Sequence, residues 1–191
     1  MEQAQADADL AHASGDTDGY QAAVARLRAA SQVAFTEMAR VRHATALAKV
    51  PQVVEHVRAA LDEDADAKLV VFAHHLDAIE GIRAGLADHG VAVLTGETPM
   101  DSRQALVDRF QTDPSIRVFL GGITAAGVGI TLTAAAHVVF AELDWVPANV
   151  TQAEDRTHRI GQVESVLVQH LVLDGSLDAR MAKTIVAKQA I

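Results

Sequence analysis

The residues best suited to chemistry lie close together in the segment 152–162, which reads QAEDRTHRIGQ. On a helix, Gln152, Arg156 and Arg159 are spaced by four and three residues and therefore project from one face. Two guanidinium groups and an amide on one face form a concentrated set of hydrogen-bond donors, which suits phosphate oxygens. Charged helix faces are also common on protein surfaces, where neighbouring carboxylates neutralise the arginines. The spacing alone therefore leaves a phosphate-binding face and a solvated helix as alternatives.

A second candidate is the segment 121–134, GGITAAGVGITLTA, in which small residues predominate. At Gly127 and Gly129 the backbone can approach a ligand closely, and exposed N–H groups can cradle a phosphate. The spacing of Gly122 and Gly127 imitates half of a P-loop, but Val128 and Gly129 stand where that loop requires Lys and Ser or Thr. A tight strand-to-helix turn explains the segment equally well.

The elements that would position these segments are short apolar strands that alternate with helices. Strands rich in Val, Ile and Leu that are separated by helices are typical of a parallel sheet covered on both faces, so we predict an α/β fold of this kind. In such a sheet, functional residues gather in the loops at the carboxyl ends of the strands. We predict strands at 68–73, 91–94, 116–120, 137–141 and 166–172, and helices at 76–88, 101–111 (with Asp101 as its N-cap), 148–159 and 177–190.

The first part of the chain has a different texture and is predicted to be helical. Residues 20–47 show helical spacing of apolar residues with no Pro or Gly, and Pro51 suits the first turn of a separate helix at 51–61. We therefore predict two domains, an N-terminal helical extension or connector at 1–48 and an α/β domain at 49–191.

Composition and charge narrow the classes of function. No run of about 18 apolar residues lacks charge, which argues against a membrane span. The chain has no Cys, which excludes disulfides and thiolate metal sites and fits a cytoplasmic setting. Hydrophobic residues make up 50% of the chain but aromatic residues only 4%, so we expect an aliphatic core. The net charge is −9 and Lys and Arg are scattered, so any contact with DNA should be weak and made by few residues.

The segment 152–162 closely resembles the last signature motif of the Swi/Snf family of superfamily-two helicase-like ATPases. The segment 121–134 resembles the preceding signature of that family, which is usually Ser-Thr-x-Ala-Gly-Gly-x-Gly-Ile-Asn-Leu. Here Gly122 replaces the leading Ser, Ala126 the first of the paired Gly residues, and Thr131 the Asn.

Two further segments carry the same resemblance. FAHH at 72–75, together with the ITAA variant of the glycine segment, resembles the annealing-helicase branch of the family. Residues 96–110 resemble a stretch of the family in which Gly, a hydroxyl residue, Arg and Phe recur. The resemblance covers about residues 49–191 and implies the second RecA-like lobe, of P-loop NTPase type, of a two-lobed motor, preceded by helices that connect the lobes.

The resemblance also implies a nucleotide-binding role for five residues. Arg156 and Arg159 would be arginine fingers that reach the γ-phosphate of ATP and neutralise charge during phosphoryl transfer. Gln152 would be the leading glutamine of the motif, and Gly127 and Gly129 would lie near ATP.

Five other residues would face double-stranded or branched DNA. Thr124 and Thr98 would contact DNA phosphates from their loops. His74 or His75 would lie near the backbone of a DNA strand. Because the side chains of adjacent histidines point in different directions, we predict no metal site there. Arg103 is a further candidate, for which a solvated position in the first turn of a helix is an equal alternative.

One part of a complete motor is missing from the sequence. No Gly-Lys-Ser or Gly-Lys-Thr occurs, so the residues that bind ATP and Mg²⁺ most directly are expected on an absent first lobe of the same parent protein. We therefore expect the parent protein to be a DNA-dependent ATPase and this chain alone to be inactive. We expect the protein to lie in the cytoplasm, associated with the nucleoid if it is bacterial.

Two alternatives differ in class from this interpretation. A stand-alone, non-catalytic RecA-like module that binds DNA or protein is compatible with the acidic composition and the altered glycine segment. A flavodoxin-like or dinucleotide-binding domain explains the sheet but not the segment 152–162. This sequence also lacks the Gly-x-Gly-x-x-Gly motif that a dinucleotide-binding domain carries after its first strand.

Overall fold

The computed structural model describes residue 13 and residues 17–126, 130–144, 146–156 and 165–189. The chain divides into two compact units, Met1–Ala44 and Thr45–Ile191. The described residues of the first unit are helical, and the second unit contains the sheet. The domain boundary expected between residues 48 and 49 stays a prediction.

A single helix, α1 (Thr17–Glu63), replaces the two helices predicted for the first part of the chain. Pro51 lies inside α1, so the prediction that it begins a new helix was wrong. A proline inside a helix removes a hydrogen bond and costs about 3 kcal/mol. Three residues in the following turns, Val53, Val57 and Leu61, are almost completely buried, and their burial offsets that cost.

Within the described residues, five parallel strands form one sheet in the order β2-β3-β1-β4-β5. In the central strand β1, Leu69 pairs with Val118 of β3 on one side and with His137 of β4 on the other. The strands are β1 (Leu69–Ala73), β2 (Val91–Leu94), β3 (Val118–Gly122), β4 (His137–Phe140) and β5 (Leu167–His170). The helices after α1 are α2 (Leu76–Gly85), α3 (Met100–Thr112), α4 (Ile123–Ala126), α5 (Pro147–Glu154) and α6 (Leu177–Gln189), with a short 3₁₀ helix at Ala87–His89.

Helices cover both faces of the sheet, as predicted. Alternate residues of each strand point to opposite faces. Val71 and Leu120 pack on one face against α2 and the end of α1. Phe72, Phe119 and Phe140 pack on the other face against α3, α5 and α6. The α/β fold with a parallel sheet between helices is therefore confirmed.

The core is aliphatic on one face only. Of the five Phe residues in the chain, Phe72, Phe110, Phe119 and Phe140 are fully buried, and all four lie in the core cluster on the side of the sheet that α3 covers. The ring centroids of Phe72 and Phe140 lie 5.2 Å apart, and those of Phe110 and Phe119 lie 5.4 Å apart. The expectation of a purely aliphatic core was wrong because composition counts aromatic residues without indicating where they collect.

The last carbonyl groups of α1, α2 and α3 each accept a hydrogen bond from a basic side chain. Such carbonyls lack partners within the helix, and a positive charge suits the negative end of a helix dipole. Desolvation by burial lowers the pKa of one of these side chains, Lys68. Three of the scattered basic residues therefore have structural roles. The donor and acceptor residues are Arg117 and Leu61 for α1 (2.7 Å), Arg58 and Gly85 for α2 (2.8 Å), and Lys68 and Phe110 for α3.

Two glycines on α2 allow a close approach of α1. A Cβ atom at Gly85 would lie 2.6 and 2.9 Å from the two Cγ atoms of Val54, which is closer than side chains tolerate. A Cβ atom at Gly81 would lie 3.1 Å from the nearest side-chain atom of Val50. Valine has a stiff χ1 torsion and cannot easily turn away. The packing of these two helices therefore depends most strongly on Gly85.

A buried ion pair joins α1 to the start of α6. The side chains of Lys49 and Asp178 are only 5% and 7% exposed, and Lys49 Nζ contacts Asp178 Oδ2 directly. Lys49 also donates a hydrogen bond to the carbonyl oxygen of Leu171, just after β5, at 3.0 Å. Because a buried charge is costly without its partner, loss of either residue of this pair would weaken the packing of both helices around the end of β5.

Helix α3 begins one residue earlier than predicted, and Asp101 is not its N-cap. Pro99 occupies the N-cap position and makes no side-chain capping bond. Asp101 lies in the first turn, where its negative charge still suits the positive end of the helix dipole.

Candidate functional site

A cleft of about 320 Å³ lies at the carboxyl edge of the sheet, where β1, β2 and β3 end side by side. It brings together three of the predicted site residues, His74, Arg103 and Thr124, from three separate segments of the chain. This convergence follows from the strand order, because neighbouring parallel strands place their following loops at one edge. The remaining lining residues are Leu76, Ile79, Thr95, Gly96, Gly122 and Ala125.

The loop between β2 and α3 forms one wall of the cleft and is stabilised by polar side chains of the loop and of α3. Arg103 Nε donates a hydrogen bond to the carbonyl oxygen of Thr98 at 3.0 Å, with longer contacts from its guanidinium group to Thr95 and Gly96. The N–H of Thr95 donates to Thr98 Oγ1 at 3.0 Å. The structure therefore gives Arg103 and Thr98 a role in shaping this loop, and their contacts with DNA stay predictions.

The loop after β1 is held by a glutamate that sequence reasoning missed. Glu142 is 4% exposed and follows β4. Its Oε1 accepts hydrogen bonds from the backbone N–H groups of His74 and His75, both at 3.0 Å, and its Oε2 lies 2.6 Å from His75 Nδ1. The signal was a lone carboxylate just after an apolar strand, which burial allows only with partners. Those partners are distant in sequence and could not be read from it.

The two histidines have different exposures and pack against each other. His74 is exposed and lines the cleft, whereas the side chain of His75 is 23% exposed. Their rings meet edge to face with centroids 5.1 Å apart. Within the part of the chain that the structure describes, no three His, Asp or Glu side chains are grouped closely enough to hold a metal ion.

The glycine segment is described only in part. Thr124 is exposed on the short helix α4, while Gly127 and Gly129 lie outside the described residues. Gln111 of α3 anchors the last part of this segment, residues 131–134. Its Nε2 donates to the carbonyl oxygen of Thr131 at 3.0 Å, and its Oε1 accepts from the N–H of Ala134 at 2.7 Å.

The arginine segment departs from the predicted geometry. Helix α5 ends at Glu154, so Arg156 lies in the turn that follows and not on the helix that carries the exposed Gln152. The N–H of Arg156 bonds to Ala153 three residues back, which tightens the last turn. The prediction of a continuous helix through residue 159 was therefore wrong at Arg156, and Arg159 lies outside the described residues.

Arg156 is nevertheless held firmly. The residue is 7% exposed, and its carbonyl oxygen accepts a hydrogen bond from the N–H of Leu132 at 2.8 Å. Leu132 lies within the glycine segment, so the backbone of one candidate motif is bonded directly to that of the other.

Residues 49–161 match the family described as "Helicase conserved C-terminal domain", and the chain belongs to this family. A relative from Bos taurus, "DNA annealing helicase and endonuclease ZRANB3", is 43% identical over 139 residues, which cover 72% of this chain and 13% of the relative. The "SWI/SNF-related matrix-associated actin-dependent regulator of chromatin subfamily A-like protein 1 homolog" of Caenorhabditis elegans is 45% identical over 139 residues, covering 70% of this chain and 20% of the relative.

Solved structures give the same result. The C-terminal part of the Fun30 ATPase domain matches with a TM-score of 0.66 at 26% identity, over 71% of this chain and 44% of that one. The C-terminal domain of the Sulfolobus solfataricus SWI2/SNF2 ATPase matches with a TM-score of 0.56 at 26% identity, over 73% and 56%. The predicted resemblance to the second, RecA-like lobe of Swi/Snf-type ATPases, of the annealing-helicase-like branch, is therefore confirmed. The chain spans 13–20% of the length of the two relatives named above.

Among the described residues, no helix is both long enough and apolar enough to cross a membrane.

Proposed function

We propose that this chain is the second motor lobe of an ATP-dependent DNA translocase, and that its ATP site is completed by a first lobe of the same parent protein. The observation that carries the proposal is the cleft, where His74, Arg103 and Thr124 converge from three segments at the edge of the sheet. The branch of the family to which the relatives belong favours double-stranded or branched DNA as the partner.

The nucleotide half of the proposal rests on the arginine segment. Arg156 and Arg159 would neutralise the charge that develops on the γ-phosphate, and the segment's Gln152 would lie beside them. The bond between Leu132 and Arg156 supports this assignment, because it ties the arginine segment to the glycine segment that carries Gly127 and Gly129. ATP would be the substrate, with Mg²⁺ held by the first lobe.

The DNA half of the proposal rests on groups around the cleft that suit phosphates. Thr124 presents a hydroxyl from α4, His74 presents a ring from the loop after β1, and Thr98 and Arg103 shape the opposite loop. His75 would support the ring of His74 and not contact the DNA itself, since its side chain is only 23% exposed. Phosphate contacts position a protein on DNA without reading its sequence, which suits translocation.

ATP turnover tests the nucleotide half in the parent protein carrying both lobes. Arg159→Ala should lower DNA-stimulated turnover about a thousandfold or more, the range known for arginine fingers. Arg83→Ala is the matched control, because Arg83 is an exposed arginine on α2 that pairs with Glu80. Unchanged turnover in Arg159→Ala would show that the finger assignment is wrong. DNA binding without any ATP turnover in the wild type would favour the non-catalytic module.

Fluorescence anisotropy with a short labelled duplex at low salt tests the DNA half. Thr124→Val removes the hydroxyl but keeps the shape, and it should weaken binding about three- to tenfold, the value of one hydrogen bond. The loss should be the same for duplexes of different sequence. Thr112→Val, at an exposed position on α3, is the control. Equal affinities of the two variants would remove Thr124 from the DNA-binding surface.

A further inference from the structure

Glu142 connects the end of β4 to the loop that carries the two histidines. Three hydrogen bonds from two successive residues converge on its carboxylate, and the carboxylate is almost completely buried. The ends of the two strands are also joined through the backbone, because the N–H of Ala141 donates to the carbonyl oxygen of Phe72 at 2.8 Å. Such a concentration of bonds holds the start of α2 in one position.

The carboxylate also determines which nitrogen of His75 carries hydrogen. An ionised carboxylate only accepts hydrogen bonds, so the contact of 2.6 Å between Glu142 Oε2 and His75 Nδ1 requires a hydrogen on Nδ1. The ring of His75 is thereby held both in orientation and in hydrogen placement. His74 packs edge to face on that ring and projects into the cleft.

We infer that Glu142 is a positioning residue that places His74 for contact with the DNA backbone by holding His75 with hydrogen on Nδ1. The inference rests on the proposed function, because it assumes that DNA occupies the cleft. It also gives the two halves of the site a physical connection. Two residues after Glu142, Asp144 Oδ1 accepts the N–H of Val146, which directly precedes the helix leading to Arg156.

Glu142→Gln tests the hydrogen placement without changing the size of the side chain. The amide oxygen of Gln can still accept the two backbone N–H groups, which leaves its NH₂ group facing His75 Nδ1. An NH₂ group donates, so the ring hydrogen should move to Nε2. The nitrogen-15 chemical shifts of the imidazole ring, recorded on the full 191-residue chain, report which nitrogen carries hydrogen. An unchanged pattern of nitrogen-15 shifts in Glu142→Gln would refute the inference that Glu142 keeps the hydrogen on His75 Nδ1.

DNA affinity tests the consequence for His74. Removing a negative charge should by itself strengthen binding to DNA. The inference gives the opposite sign, a loss of about three- to tenfold for Glu142→Gln, because the charge-assisted bond that holds His75 is replaced by a weaker neutral one and His74 is held less firmly. Glu80→Gln is the matched control, since Glu80 is exposed and pairs only with Arg83 among the contacts described. Tighter binding by Glu142→Gln would overturn the inference.

A double-mutant cycle separates positioning from general damage to the structure. If Glu142 acts through His74, then Glu142→Gln should have little effect on affinity once His74 is changed to Ala. An equal loss in both backgrounds would overturn the inference. If Glu142→Gln fails to fold, His75→Phe removes the Nδ1 bond while keeping a ring beside His74, and it should behave in the same way.

The two proposals fail in distinguishable ways. Equal affinities of wild type and His74→Ala would overturn the assignment of His74 to DNA, and with it the functional half of the inference. The nitrogen-15 shifts would still decide whether Glu142 holds His75. A loss of affinity in His74→Ala with additive behaviour of Glu142→Gln would instead leave the DNA-binding cleft supported and refute the positioning role alone.

Discussion

Lys49→Met should be among the most destabilising single changes in the described part of the second unit. It leaves Asp178, whose side chain is 7% exposed, as a buried carboxylate without its cation, and the carbonyl oxygen of Leu171 loses a donor. Removing one partner of a buried ion pair costs about 3–5 kcal/mol. At about 2–4 °C per kcal/mol for a domain of this size, the midpoint of thermal unfolding should fall by roughly 6–20 °C.

Urea and thermal unfolding followed by circular dichroism measure this change. Lys49→Met combined with Asp178→Leu should recover most of the loss, because no unpaired charge then remains buried. Glu80→Gln is the control, since it disrupts an ion pair whose side chains are 49% and 61% exposed and should cost less than about 1 kcal/mol. A cost below about 1 kcal/mol for Lys49→Met, or a double variant no more stable than the single one, would refute the reasoning.

Two further predictions concern the packing of α2 and the turn after α3. Gly85→Ala should destabilise the domain by about 1–3 kcal/mol, because its Cβ would lie 2.6 Å from a side-chain carbon of Val54. Gly81→Ala should be close to neutral when the two variants are compared by urea unfolding. Adding Val54→Ala to Gly85→Ala should recover stability, because it removes the atoms that the new Cβ would meet. The Ser115 hydroxyl and backbone N–H hold the pKa of Asp113 below its usual 3.8, so its contribution to stability is complete above about pH 3.8 and is lost as the pH falls through the folded-state pKa. The advantage of wild type over Asp113→Asn in urea unfolding should therefore shrink below pH 3.8, and an advantage independent of pH would contradict this assignment.

The candidate site was predictable wherever it depends on a short string of residues. The segment 152–162 identified the family, and the apolar runs placed all five strands to within a few residues. The errors occurred where a local rule competes with tertiary packing. Pro51 predicts the start of a helix because a proline costs least there, yet burial of the residues that follow stabilises a helix that continues through it.

The arginine segment shows the same competition at the site itself. Helical spacing placed Gln152 and Arg156 on one face, but α5 ends at Glu154 and the carbonyl oxygen of Arg156 bonds to Leu132. A hydrogen bond to a residue 24 positions earlier is not encoded in local spacing. The functional assignment of Arg156 therefore depends on its motif, whereas its position depends on packing.

The sequence by itself determined the fold class, the family and most of the candidate residues, because periodicity and motif strings are properties of neighbouring residues. Only the tertiary structure showed that His74, Arg103 and Thr124 share one cleft and that Glu142 holds the loop behind it. These relations arise from the strand order β2-β3-β1-β4-β5, which brings the ends of distant segments to one edge of the sheet. Strand order is a result of how the whole chain packs, and no short stretch of the sequence specifies it.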